Sequence, residues 1–227
     1  MQMAKQELFE RSPVRAFDAV ANGGLKAGEI GLVTAKKGVG KTAVLVQFGM
    51  DTLLNGKQLV HVSFDQVSAN VITWYDTILG EISKNKTMSD DVKEQVLRNR
   101  TILNFNQDNV SLEKVINTLN ALKAGGIAVA GVVIDGADFG KLKESDILAV
   151  ATYAKATKTK VWMSSTVDGD KLAEQAPKAL LPYFTDVVHL AASKAKGTEI
   201  QILKAGSKPV EESTLKLDPK SYLILAK

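Results

Sequence analysis

Short apolar runs alternate with helically spaced apolar positions along this chain. Glu29-Ile30-Gly31-Leu32-Val33-Thr34 has the length of a buried strand. Thr42 to Leu54, with Val44, Leu45, Phe48 and Leu53, has the length and spacing of a helix, and Gly56 supplies a C-terminal cap. Gln58 to Phe64 predicts the next strand, with Asp65 at its C-terminal end. Residues 69–83 have helical spacing through Val71, Trp74, Tyr75, Ile78, Leu79 and Ile82. Met88-Ser89-Asp90-Asp91-Val92 opens another helix, with acids in its first turn and Arg98 and Arg100 in its last. Thr101 to Phe105 is a short strand, and Ser111 caps a helix that Gly125-Gly126 stops. Val129 to Ile134 is a strand ending in Asp135, residues 145–157 are helical, and Lys160 to Ser165 is a further strand. Upstream, Pro13 opens a short helix to Val20, residues 22–29 are turn-rich, and residues 1–12 read as a flexible arm or loosely packed lead-in. Downstream, residues 169–182 are polar with one short helix. Asp186 to Ala191 and Glu199 to Leu203 follow as strands, and Leu215–Leu217 with Tyr222–Leu225 form a final hairpin.

Strands rich in Val, Ile and Leu, separated by helices, indicate an α/β fold with a mainly parallel sheet buried on both faces. The last third loses its helices, which predicts antiparallel strands at that edge. At 227 residues and 45% hydrophobic, residues 1–227 are expected to form a single domain. There is no cysteine, which excludes disulfides and thiolate metal sites. His61 and His189 lie in strand-like runs and read as core histidines. No apolar run is long enough to span a membrane, and the N-terminal residues lack a signal-like apolar segment, so the expectation is a cytoplasmic protein without membrane contact. The net charge is +4, carried mostly by lysine; the arginines are Arg11, Arg15, Arg98 and Arg100. That balance is a weak signal for nucleic acid.

Between the first strand and its helix lies Ala35-Lys36-Lys37-Gly38-Val39-Gly40-Lys41-Thr42, one residue from the phosphate-loop pattern G-x-x-x-x-G-K-[ST], with Ala35 in place of the first Gly. Strand, glycine loop and helix are the context that pattern requires. Gly38 and Gly40 let backbone N–H groups approach a polyphosphate, and the helix presents its positive end to the same anion. Lys37, Gly38, Val39, Gly40, Lys41, Thr42 and Ala43 are thus the nucleotide-binding candidates. Lys41 is placed to reach the β- and γ-phosphates and is a catalytic candidate. The Thr42 hydroxyl and the strand-terminal Asp135 are candidate Mg²⁺ ligands. Asp65 ends a second strand at the same edge, where its carboxylate can orient or deprotonate a water, or else cap the next helix. Ser164, Ser165 and Thr166 end another strand, either sensing a γ-phosphate or capping local turns.

Gly23-Gly24-Leu25-x-x-Gly28-Glu29, the phosphate loop, Val62-Ser63-Phe64-Asp65 and Val132-Val133-Ile134-Asp135, in this order, resemble the RecA/DnaB/KaiC-like ATPases over about residues 13–204. The resemblance implies a three-layer αβα RecA-like P-loop fold and ATP with Mg²⁺ as ligands. It also implies a homo-oligomer or partner protein, with Lys41 and Thr42 as the loop lysine and hydroxyl and Asp135 as the acid of the metal. Two departures imply slow or partner-activated turnover. Asp65 stands where the family usually has Glu, and Leu203-Lys204-Ala205-Gly206 retains the lysine of a trans-acting Lys-x-Arg pair without its arginine. Lys204 is either trans-acting or a solvated strand-end lysine. The resemblance suggests a slow ATPase serving as an assembly or regulatory subunit, or alternatively a DNA-dependent recombination or helicase-type motor. In the second case, residues 136–145 and 167–182 would touch nucleic acid. Locally the loop is also similar to that of ParA/MinD-like dimeric switch ATPases, in which Lys36 would match a lysine acting across the dimer. No residue pattern selects adenine over guanine.

Overall fold

The computed structural model describes residues 2–84, 89–105, 111–193, 197–206, 210 and 215–226. Met88, read above as opening a helix, and Met1 lie outside them. In chain order the elements are α1 (Gln2–Glu10), α2 (Val14–Val20), β1 (Ile30–Ala35), α3 (Lys41–Leu54), β2 (Gln58–Ser63), α4 (Ser68–Ile82), α5 (Asp90–Leu97) and β3 (Arg100–Asn104). They continue with α6 (Leu112–Ala124), β4 (Val129–Asp135), α7 (Glu144–Thr157), β5 (Lys160–Thr166), β6 (Asp186–Ser193), β7 (Gly197–Ala205), β8 (Leu215–Leu217) and β9 (Ile224–Ala226).

These strands form one nine-stranded sheet in the order β3-β2-β4-β5-β1-β6-β7-β8-β9. β1 to β6 are mutually parallel, while β7, β8 and β9 add antiparallel at one edge, as the loss of helices predicted. From β1 the chain crosses toward β2 and β3, then turns back through β4 and β5 to β6. Right-handed crossovers in opposite directions put helices on opposite faces. Accordingly α3, α4 and α5 pack on the face that holds Val33, Val133, Trp162 and Val188. α6 and α7 pack on the face that holds Leu32, Val132, Ile134 and Met163. Side chains alternate between faces along each parallel strand, so both sides of the sheet are buried.

α3 lies deepest: every residue from Ala43 to Met50 is buried. Close approach needs small residues under it. A Cβ on Gly131 would lie 2.6 Å from the Thr52 hydroxyl. Gly31 leaves room for Trp162, whose ring stacks on Phe48 with centroids 4.1 Å apart, worth about 1 kcal/mol beyond the area buried.

Two expectations need correction. Residues 2–10 form a helix rather than an arm, and Leu8 is buried against the α3 side of the core. Arg98 follows the end of α5 and Arg100 belongs to β3, where its guanidinium covers the Tyr75 ring at 4.9 Å. Both histidines are buried, as expected. The His61 Nδ1 meets the Tyr75 hydroxyl at 3.0 Å, and burial pushes its pKa down to about 3. Among the described residues no helix is long and apolar enough to cross a membrane.

Candidate functional site

The site lies where β1, β2, β4 and β5 end, the edge at which an open α/β sheet gathers ligands. β1 runs into the loop Lys36–Gly40, and the loop runs into the N-terminus of α3. Gly40 occupies the cap position with φ 119°, a conformation that side-chain-bearing residues rarely adopt. A Cβ there would also lie 2.8 Å from Leu217, so the C-terminal strands press on the loop from behind.

A cleft of about 610 Å³ opens over the loop and α3. Lys37, Gly38, Gly40, Lys41, Thr42 and Ala43 line its floor, and Asp65 and Asp135 stand at its far side. Val39 is not among the lining residues; its side chain packs against the core. Lys41 Nζ donates to Ala35 O at 3.3 Å and to Lys36 O at 3.5 Å, so the ammonium rests on loop carbonyls. Partial burial holds its pKa below the ordinary lysine range, against the opposing pull of Asp135 and Asp65.

Asp135 and Thr42 meet although they are 93 residues apart: Thr42 Oγ1 donates to Asp135 Oδ2 at 2.7 Å. β5 lies between β4, which ends in Asp135, and β1, which leads into the loop and α3, and it supplies Ser164, whose hydroxyl donates to Asp135 Oδ1 at 2.6 Å. Ser164 also accepts the Gly136 N–H at 2.9 Å. Both carboxylate oxygens are thereby oriented. Ser164, read as a possible phosphate sensor or turn cap, orients Asp135 through this bond, and Thr166 lies on the cleft wall. A threonine hydroxyl beside a strand-terminal carboxylate is an all-oxygen donor set that fits Mg²⁺, which keeps several waters and takes few protein ligands.

Asp65 follows β2, whose last residue Ser63 is in register with Asp135. Its carboxylate lies over Gly136, where a Cβ would overlap it; Gly136 has φ 79°. The cap position of α4 falls to Val67, two residues beyond Asp65. A second polar cleft of about 250 Å³, lined by residues 136–140 and 164–166, shares Asp65 and Thr166 with the first.

Three cleft residues escaped the sequence reading. Gln66 Nε2 donates to Thr42 Oγ1 at 2.9 Å, and its backbone N–H donates to Ser63 Oγ at 3.0 Å. The one signal for it was its place directly after Asp65. Trp74 counted only as an apolar helix position, and Tyr222 only as a hairpin residue; both line the cleft.

Lys36 is exposed on the loop and is not among the cleft's lining residues. Lys204 pairs in register with Val187, toward the opposite edge of the sheet, and donates to Phe184 O at 2.5 Å. Neither is brought to this cleft. In residues 136–145, Lys141 pairs with Asp138 at 3.7 Å. In residues 167–182, Glu174 accepts the Lys171 N–H at 3.0 Å, and Gln175 donates to the carbonyls of Gly169 and Lys171.

No protein-family model matches the chain, and the comparison with curated proteins found no match.

Proposed function

We propose that this chain is an ATP- and Mg²⁺-binding P-loop ATPase with a RecA/KaiC-like fold, turning over slowly and acting as a nucleotide-dependent assembly or regulatory subunit. The observation that carries the reading is the 2.7 Å hydrogen bond between Thr42 and Asp135 at the mouth of the glycine loop. It joins the two oxygen donors that a nucleotide-bound magnesium ion requires. When bound, the ion would neutralise charge on the β- and γ-phosphates, with Thr42 and Asp135 as its protein ligands.

The remaining roles belong to side chains already in place. The loop backbone and Lys41 take the phosphates, and Lys41 moves its ammonium from the Ala35 and Lys36 carbonyls to the anion. Gln66 and Asp65 stand beside Thr42 and above Gly136, where they orient a water for attack and Asp65 accepts its proton. Slow turnover follows from the absence of an arginine at this edge. The arginines lie elsewhere in the fold, and Arg100, for example, is held against Tyr75. A role for Lys204 across a subunit contact would first require it to leave the Phe184 carbonyl. Lys141 and Glu174 of the two loops beyond β4 and β5 make local contacts, and no specific observation favours a DNA-dependent motor. Lys36 is exposed on the loop, and no specific observation favours the ParA/MinD-like reading.

The test is ATP turnover and MgATP uptake in the intact chain and in Lys41→Ala. Uptake with slow turnover, both lost in the variant, is expected; equal behaviour of the two proteins would overturn the reading.

A further inference from the structure

Gln47 is a fully buried amide in the middle of α3, and every polar atom of its side chain is used. Its Nε2 donates to Ala43 O at 3.0 Å, one turn back, and to Tyr222 O at 2.8 Å. Its Oε1 accepts the Ile224 N–H at 2.8 Å. The helix that begins at the phosphate loop therefore grips the chain on both sides of Leu223. Tyr222 is fixed at φ 59°, an uncommon conformation for a bulky residue. That conformation sends its ring over the cleft rather than into the hairpin core, leaving it 39% exposed. There it meets Trp74 of α4, ring centroids 5.3 Å apart and planes at 87°. Both rings line the same cleft as Lys41, Thr42 and Asp135.

Strain at a bulky residue persists where surrounding contacts over-determine it, and it concentrates at ligand-binding positions. Two aromatic planes at right angles form a corner that takes a flat ring, one face stacked and one edge against the second plane. A triphosphate seated on the loop has its other end in the same cleft.

We propose that the Trp74–Tyr222 corner holds the base of the nucleotide, and that Gln47 is the positioning residue that fixes Tyr222 for it. The inference rests on the phosphate-site reading above and adds that the C-terminal hairpin is part of the nucleotide site. The ligand class is a nucleoside triphosphate held by the flat face of its base, for which an aromatic platform is tolerant of base identity.

The experiment compares Mg·ATP with Mg·tripolyphosphate on the full chain, by calorimetry and tryptophan emission. The tryptophans are Trp74 and Trp162, and Trp162 is buried on Phe48. ATP is expected to quench emission and tripolyphosphate to leave it unchanged. Tyr222→Ala should weaken ATP about five- to a hundredfold while leaving tripolyphosphate affinity as it was. Gln47→Leu should move in the same direction, and Tyr222→Phe should retain wild-type behaviour. If Tyr222→Ala does not fold, the emission of the unmodified chain decides. Tripolyphosphate bound as tightly as ATP, without quenching by either, would overturn the base corner and spare the phosphate site. Binding of neither ligand would overturn both.

Discussion

Ser164 donates to one oxygen of Asp135 and Thr42 to the other, so this carboxylate is fixed from β5 and from α3 at once. Partners of this kind set the orientation of a metal ligand and typically matter ten- to a hundredfold, on the order of their effect elsewhere. Ser164→Ala is therefore expected to raise the magnesium concentration needed for half-maximal ATP binding about tenfold. The affinity for ATP without metal should be unchanged. A magnesium titration at fixed ATP checks this; an unchanged midpoint would remove Ser164 from the site.

Asp65 is expected to act on the attacking water rather than on binding. Asp65→Asn keeps the shape above Gly136 and removes the proton acceptor. Turnover should fall about a hundredfold or more while MgATP affinity is retained. Steady-state rates together with calorimetry separate the two, and parallel loss of both would make Asp65 a binding residue instead.

Lys41 carries a charge whose partial burial disfavours it in the ligand-free protein. Lys41→Met is expected to raise the melting temperature of the ligand-free chain. The same variant should lose about ten- to a hundredfold in MgATP affinity, the usual worth of a hydrogen bond to a charged group. Opposite movements of stability and affinity are the signature; a variant less stable in both respects would show that Lys41 is chiefly structural.

Asp186 gives a pH-dependent prediction away from the site. Its Oδ1 accepts the Gly206 N–H at 3.1 Å, its Oδ2 is buried without a partner, and burial pushes its pKa up to about 6. The folded state then binds the proton more tightly than the unfolded state, whose carboxyl titrates near pH 4. Stability from this group is present below about pH 4 and is lost as pH rises through about 6. Asp186→Asn should stabilise the protein at pH 7, by on the order of 1 kcal/mol, and have little effect at pH 4. Melting curves of both proteins at the two pH values test it. Comparison with wild type cancels the opposite slope from His61, whose depressed pKa makes the fold weaker as pH falls from about 6.5 toward 3.

The parallel sheet, its helices and the antiparallel edge could be read from the chain because local patterns carry them. Runs such as Val132-Val133-Ile134 are buried on both sides, and glycines such as Gly56 sit where a helix must stop. The glycine loop between β1 and α3 was legible for the same reason, since its residues are contiguous. Ser164 was seen, but its role was not, because that role depends on β5 falling between β1 and β4. Gln47 and Tyr222 were invisible together: their bond spans 175 residues, and nothing in a tyrosine announces a positive φ. The N-terminal helix was missed because nine residues are too few turns to show a helical period, and the burial of Leu8 depends on tertiary contact with the α3 side of the core.

The central claim is that the loop, Thr42 and Asp135 together cradle a magnesium–triphosphate pair. Its most direct test is calorimetric titration of the intact chain with ATP, in magnesium and in chelator. The account predicts saturable binding with magnesium and binding at least about tenfold weaker without it. Absence of binding, or equal affinity in the two buffers, would contradict it.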